Sequence, residues 1–328
     1  MLKKAFQTKD KKTLKTSQEI KSFCEYLKYA SLTWVFLHEK NPTSCNEIFP
    51  LTPTIQLYLQ KLQRLERRVF MHLLMAVFTQ RNLDLRLKKY DEEEVSKLLK
   101  SMERFSFLVY EIAKKQTSIT GEYFLKIGAK YFHENISLND IVEDIENIIR
   151  SKYYFCLDDR NGFAFMITYE NERYYSSKWR RGLKYLLYEY EISLKPENRE
   201  VKMNFDESSI EHILPQNPDV GYSKKLRNYA TKEGIVHALG NLLLIKGAIN
   251  SELSNKSFQE KKEKFKQGSY SEIEVSNCPK TEWGKDEIKK RTEDILDFLF
   301  KNWNLQELEE TEQIDIDKIK KMLLKDFK

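Results

Sequence analysis

The chain has 328 residues, 41% of them hydrophobic and 32% charged, with only 10 Gly and 7 Pro. That composition permits a buried core and favours a mainly α protein of two domains, or of one domain with a large appendage. No run approaches the roughly 18 apolar residues of a membrane span, and the basic N-terminus lacks the apolar stretch of a secretory signal, so a cytoplasmic location is expected.

Four cysteines, Cys24, Cys45, Cys156 and Cys278, form no C-x-x-C pair. Neither a cysteine zinc site nor a disulfide framework is expected, and free thiols in a reducing compartment are the simple reading.

Residues 13 to about 150 read as consecutive helices. Ile20, Phe23, Leu27 and Ala30 keep helical spacing, as do Leu62, Leu65, Val69, Leu73 and Val77. The clearest seam is Val95, Leu98, Leu99, Met102, Phe105, Val109 and Ile112, behind the acidic first turn "DEEE". "SLND" starts a further helix, with Ser137 or Asn139 as cap. Proline-punctuated breaks fall at 39–44 and 49–54. The aromatic, β-branched segments of 151–178 around "DDRNG" suggest a hairpin. Helix resumes at 177–194, and the polar stretch "KPENREVKMNFDESS" then marks a candidate boundary near residue 200.

The text from 207 to 304 has a different pattern. "SIEHILP" reads as a short strand, followed by about twenty polar residues. "LGNLLLIKG" (239–247) reads as a buried strand. "SNKSFQEKKEKF" reads as a helix whose capping box pairs Ser257 with Glu260. A last helix, 284–302, is flanked by Trp283 and Trp303. Beyond Leu305, "LQELEETEQIDID" carries six acids and no bases, a solvated linker before a short terminal helix, "KIKKMLLKDF".

Charge placement adds to this. Between Gly221 and Tyr270, ten Lys/Arg face four acids, an excess of +6 that equals the net charge of the whole chain. Such a cluster can neutralise phosphates, although the bland reading is a solvated helix face. The absence of a G-x-x-x-x-G-K-[ST] loop and of H-E-x-x-H excludes a P-loop NTPase and a zincin.

Phosphodiester hydrolysis needs a base for water and positive charge near the phosphate and the leaving oxygen. A histidine beside one Mg²⁺ meets both needs, and Mg²⁺ requires few hard oxygen ligands. Glu211 and His212 are adjacent on the first strand and so point in divergent directions. Asn241 lies at the second strand, and Asn250 nine positions later. Taken alone, His212 would be an ordinary structural histidine, and Glu211 would pair with a lysine.

The ordered set "IEHILPQNP", "VHALGNLLLIKGAIN", "LSNKSFQEKKEKF" and then Trp283, Ile288 and Arg291 resembles the HNH, or His-Me finger, nucleases. It is most similar to the DUF1524 family, the C-terminal nuclease half of GmrSD-type modification-dependent restriction systems. "RGLKYLLYEYE" (181–191) resembles the preceding helix, so the likeness covers about 125 residues, 180 to 304.

The resemblance implies a helical connector or scaffold domain (1–200), a C-terminal α+β HNH (ββα-metal) nuclease domain (201–304), and an acidic tail (305–328). It implies a metal-dependent DNA endonuclease of a prokaryotic defence system, using Mg²⁺ or Mn²⁺. His212 takes the place of the general base and Glu211 that of the acidic metal ligand. Asn250 matches the asparagine completing the metal site. Asn255 also falls in the motif, and spacing does not separate the two; as a plain residue it would cap the following helix. Asn241 matches the middle asparagine, which holds the loop and orients His212. Lys246, Lys256 and Lys261 or Lys262 are candidate DNA phosphate contacts. His237 reads as structural, and His38, His72 and His133 as incidental.

Larger members of the family begin with a nucleotide-responsive DUF262 domain marked by a DGQQR-type motif, which is absent here. The expectation is therefore a truncated product, a split-gene subunit or a fragment that works with a DUF262-type, NTP-dependent sensor on phage or modified DNA. The rival readings are a catalytically inactive adaptor that binds DNA or a partner, and an RNA-cleaving toxin using the same site.

Overall fold

The computed structural model describes residues 17–38, 51–87, 91–134, 136–151, 177–218, 221–232, 235–310 and 315–324. Among these the protein is mainly helical, with one two-stranded antiparallel sheet. The hairpin expected at 151–178 falls almost wholly outside them. No described helix is long and apolar enough to cross a membrane. The chain divides into two compact units, one of residues 1–103 and 116–146, the other of residues 104–115 and 147–328.

The first unit contains α1 (Ser17–His38), α2 (Pro53–Arg64), α3 (Met71–Leu87), most of α4 (Glu92–Phe105), α5 (Thr117–Glu134) and most of α6 (Leu138–Ile149). Pro53 sits in the first turn of α2, with the Thr52 hydroxyl accepting from the Ile55 amide. Asp91 starts α4 by accepting from the Glu93 and Glu94 amides at 2.8 and 3.3 Å. The α4 seam of Val95, Leu98, Leu99 and Met102 is buried as its periodicity predicts. Ser137 is the α6 cap, accepting from the Asp140 amide, whereas the Asn139 amide turns to Glu94.

Two expectations about helices fail here. The periodic stretch 62–77 is not one helix: α2 ends at Arg64 and a 3₁₀ turn, Arg68–Phe70, precedes α3. At the turn the Glu66 carboxylate accepts from both the backbone amide and the guanidinium of Arg68. In α1, Ile20 and Leu27 are exposed, and the buried residues are Thr33, Phe36 and Leu37. The spacing predicts the helix there, but not which face is covered.

The second unit takes in the π-helical turn Ser106–Ile112 that follows α4, then α7 (Ser177–Ser193), β1 (Ser208–His212), α8 (Lys224–Lys232), β2 (Leu242–Lys246), α9 (Gly247–Leu253), α10 (Phe258–Phe265), α11 (Tyr270–Ser276), α12 (Lys285–Asn302), α13 (Gln306–Glu310) and α14 (Ile316–Leu323). Phe107 stacks on Trp303 with ring centroids 4.1 Å apart, and Arg104 donates to the Trp303 carbonyl. The polar stretch after β1 is not all loop. It contains α8, started by the Ser223 hydroxyl at the Leu226 amide, with Leu226 and Ala230 buried at i, i+4 spacing. Likewise Leu308 is buried in α13, inside the segment expected to be a solvated linker.

One core cluster of this unit runs from Ile213 and Leu214 through Leu243, Ile245 and Leu253 to Phe258, Phe265, Trp283 and Ile288. Gly240 lies where α12 meets the entry to β2. A Cβ there would stand 2.1 Å from the Ile288 carbonyl oxygen and 2.6 Å from the Thr292 amide nitrogen. Only glycine permits so close an approach of two backbones. The contact is locked by the Gly240 amide donating to the Thr292 hydroxyl, and by Arg291 donating to the Gly240 and Leu242 carbonyls.

Candidate active site

β1 and β2 pair in the register Ser208↔Lys246 through His212↔Leu242. Strand alternation then puts Ser209 and Glu211 on one face with their partners Ile245 and Leu243. Ser208, Ile210 and His212 lie on the other. Glu211 and His212 are both nearly buried, at 6% and 7% exposure.

On the first face, the Lys261 ammonium donates to Glu211 Oε1 at 2.5 Å and to the His212 carbonyl at 2.8 Å. Lys261 has no exposed surface, so the phosphate contact expected of it is corrected: its ammonium is already spent inside the fold. It occupies the buried seam of α10 between Phe258 and Phe265, on a helix whose start is fixed by the Ser257–Glu260 capping box. Burial pushes the Glu211 carboxyl up and the Lys261 ammonium down, and each shift is opposed by the partner's charge. Asn250, on α9, donates through Nδ2 to the Ser209 hydroxyl at 2.8 Å and the Ile210 carbonyl at 3.2 Å. A carbonyl accepts only from a donor, so these bonds fix the amide orientation and leave Oδ1 as its acceptor end.

On the second face, His212 Nε2 lies 3.3 Å from His237 Nδ1, with the two rings nearly perpendicular. The Gln216 amide nitrogen is 3.4 Å from His212 Nδ1. Burial is the main cause that pushes the His212 pKa down to about 3, with electrostatic interactions with His237 and Lys261 adding to it. The imidazole is therefore neutral at pH 7.

The turn after His212 is held by Asn241, which is fully buried. Its Oδ1 accepts from the Leu214 amide at 2.7 Å, and its Nδ2 donates to the Leu214 carbonyl at 2.9 Å and the Val236 carbonyl at 2.7 Å. Its own carbonyl accepts from the Ile213 amide at 2.9 Å. One side chain thus ties the end of β1 to the start of β2 and to the turn that carries His237.

The hairpin and the two helices after it, α9 and α10, bring together Glu211, His212, Asn241, Asn250 and Lys261. Asn255 is exposed in the turn between α9 and α10. Lys246 is exposed at the end of β2, Lys256 is half-buried and 4.0 Å from Glu252, and Lys262 donates to the Cys278 carbonyl. Sequence reasoning does not single out His237 and Gln216 as site residues. The available signal is position: Gln216 ends "EHILPQ", and His237 follows the Val236 carbonyl that Asn241 grips. Of the histidines read as incidental, His38 donates to the Trp34 carbonyl at 2.8 Å.

Among the described residues no three His, Cys, Asp or Glu side chains gather as a metal site. A hard cation that retains most of its water asks for less. The Glu211 carboxylate, which has a second oxygen beyond the one on Lys261, and Asn250 Oδ1 on the same side of β1 supply the right donor chemistry.

Residues 162–298 match the family model of GmrSD restriction endonucleases, C-terminal domain. The C-terminal part of the chain is thus similar to a GmrSD-type nuclease part. No curated protein and no solved structure matches the chain. The matched GmrSD span contains β1, β2, Asn250, Lys261 and Arg291, so every residue of the hairpin site lies within it. The match points to a nuclease of a restriction system.

Proposed function

We propose that the protein is a metal-dependent DNA endonuclease of the HNH type, the effector part of a restriction or anti-phage system. The observation that carries this reading is the end of β1. Glu211 and His212 leave it on opposite faces, and groups from later in the chain fix each of them. His212, neutral at pH 7, accepts a proton from the water that attacks phosphorus in line. The Asn241 bonds hold the turn behind His212, so its ring is placed before substrate arrives. Glu211 and Asn250 would hold Mg²⁺ or Mn²⁺, which when bound supplies Lewis-acid stabilisation of charge on the phosphate and the leaving 3′-oxygen. Asn250 is preferred over Asn255 because it is bonded to β1 while Asn255 faces solvent.

Cleavage in this way leaves 5′-phosphate ends. Basic residues of α8 and the end of β2 contact backbone phosphates, which positions DNA without reading sequence. Choice of modified or phage DNA falls to a sensor partner of the DUF262 type. The test is plasmid nicking by the purified full chain in Mg²⁺ or Mn²⁺, with structured RNA as competitor. Nicking by the parent and none by His212→Ala is expected. Equal cleavage by the variant would sink the assignment, and cleavage of RNA in preference to plasmid would move it to a ribonuclease.

A further inference from the structure

Lys261 is the least expected side chain in the second unit. An ammonium with no exposed surface is costly unless it is paired and hydrogen-bonded. Here the helix itself aims it: Phe258 and Phe265 are buried on either side of it in α10, and the capping box sets where that helix begins. The ammonium bridges the two neighbours at the end of β1, taking Oε1 of Glu211 and the carbonyl of His212. It therefore already places a positive charge against the one carboxylate proposed to hold a divalent ion.

We propose that Lys261 is an internal cation that competes with a divalent metal for Glu211, so that the site takes up metal weakly from solution. This rests on the metal-dependent reading above. Two like charges on one carboxylate repel over a few ångströms of low-dielectric interior, where Coulomb interactions are several times stronger than in water. Removing the ammonium leaves Glu211 as a buried acid with no counter-charge, and metal binding then supplies what the lysine gave.

The probe is Mn²⁺, titrated into the full-length chain by calorimetry and by the electron paramagnetic resonance of free Mn²⁺. The variants are Lys261→Gln, which keeps a neutral donor in the seam, and Lys261→Met, which fills it. Either variant is expected to bind Mn²⁺ roughly tenfold more tightly than the parent or better. Each should also show a larger Mn²⁺-dependent rise in unfolding temperature, because the ligand stabilises the native state by mass action. Glu211→Gln should abolish both effects. Should Lys261→Met fail to fold, Lys261→Gln decides. Equal or weaker Mn²⁺ binding by the lysine variants overturns the competition. If that result accompanies His212-dependent plasmid nicking, the nuclease reading stands and this inference alone fails. If neither parent nor variants bind Mn²⁺ in a Glu211-dependent way, this inference and the metal-dependent reading both fail.

Discussion

Asn241 and Leu214 exchange two hydrogen bonds, the Leu214 amide donating to Oδ1 at 2.7 Å and Nδ2 returning a bond to the Leu214 carbonyl at 2.9 Å. With the third bond, to the Val236 carbonyl, one fully buried amide satisfies three backbone groups that water does not reach. Removing one partner of a buried bond costs about 1–3 kcal/mol for the group left unpaired. Asn241→Ala should therefore lower stability by about 3 kcal/mol or more. Asn241→Asp should be no better, because it sets a carboxylate oxygen against two carbonyls. Denaturant unfolding followed by tryptophan fluorescence measures this. A loss below about 1 kcal/mol would show that the turn can find other partners.

Gly240 and Gly121 make a matched pair. A Cβ on Gly240 meets backbone atoms of α12 at 2.1 and 2.6 Å, whereas one on Gly121, in α5, meets nothing within 4 Å. Backbone cannot step aside as a flexible side chain can. Gly240→Ala should destabilise by more than about 3 kcal/mol, beyond the usual range for a point change. Gly121→Ala should stabilise by about 0.5–1 kcal/mol through helix propensity and a less disordered unfolded chain. Thermal melts of the two variants should move in opposite directions.

The sequence makes some of this visible and conceals the rest. Glu211, His212 and Asn241 can be placed on one hairpin from spacing, because strand alternation acts over a few residues, whereas spacing alone does not choose Asn250, on α9, over Asn255. Lys261 reads as a surface cation, since its partner Glu211 lies fifty positions away. The signal is nonetheless present: Phe258, Lys261 and Phe265 have the spacing of one buried helix face. The break between α2 and α3 is hidden for the opposite reason. Apolar periodicity runs straight across it, and the local Glu66–Arg68 contact at the turn is polar, which a hydrophobic pattern does not register. Nine mostly polar residues form α8 because Leu226 and Ala230 find a core made by distant segments.

Buried His212 makes stability depend on pH with a definite sign. Its folded pKa lies far below the ordinary histidine value, near 3 against 6.5, chiefly because burial disfavours the charged ring. The unfolded chain takes up a proton in this range that the native state refuses, so stability falls as pH drops below about 6.5. Above that pH the contribution is complete. Unfolding midpoints of the metal-free chain, in chelator, should decline between about pH 7 and 5.5. His212→Gln should show a shallower decline over the same window, which lies above the range where carboxylates dominate. Parallel profiles for parent and variant would mean that His212 takes up its proton in the native state.

Ion pairing sorts the basic cluster into lysines that can meet phosphate and lysines already neutralised. Lys264 pairs with Glu252 at 2.8 Å and Lys266 with Glu263 at 2.6 Å. Lys224 and Lys225 are exposed on α8, and among the described residues neither has an acidic partner within ion-pair distance. Each lysine that contacts a phosphate releases counterions and adds about 0.9 to the slope of log affinity against log salt. The Lys224→Gln, Lys225→Gln double variant should therefore weaken duplex binding and reduce the slope by about 2. The matching Lys264→Gln, Lys266→Gln variant should leave the slope nearly unchanged. Fluorescence anisotropy with a labelled duplex across a salt series separates the two. Equal loss from both pairs would mean that DNA is drawn by the net charge of the region, without contact at α8.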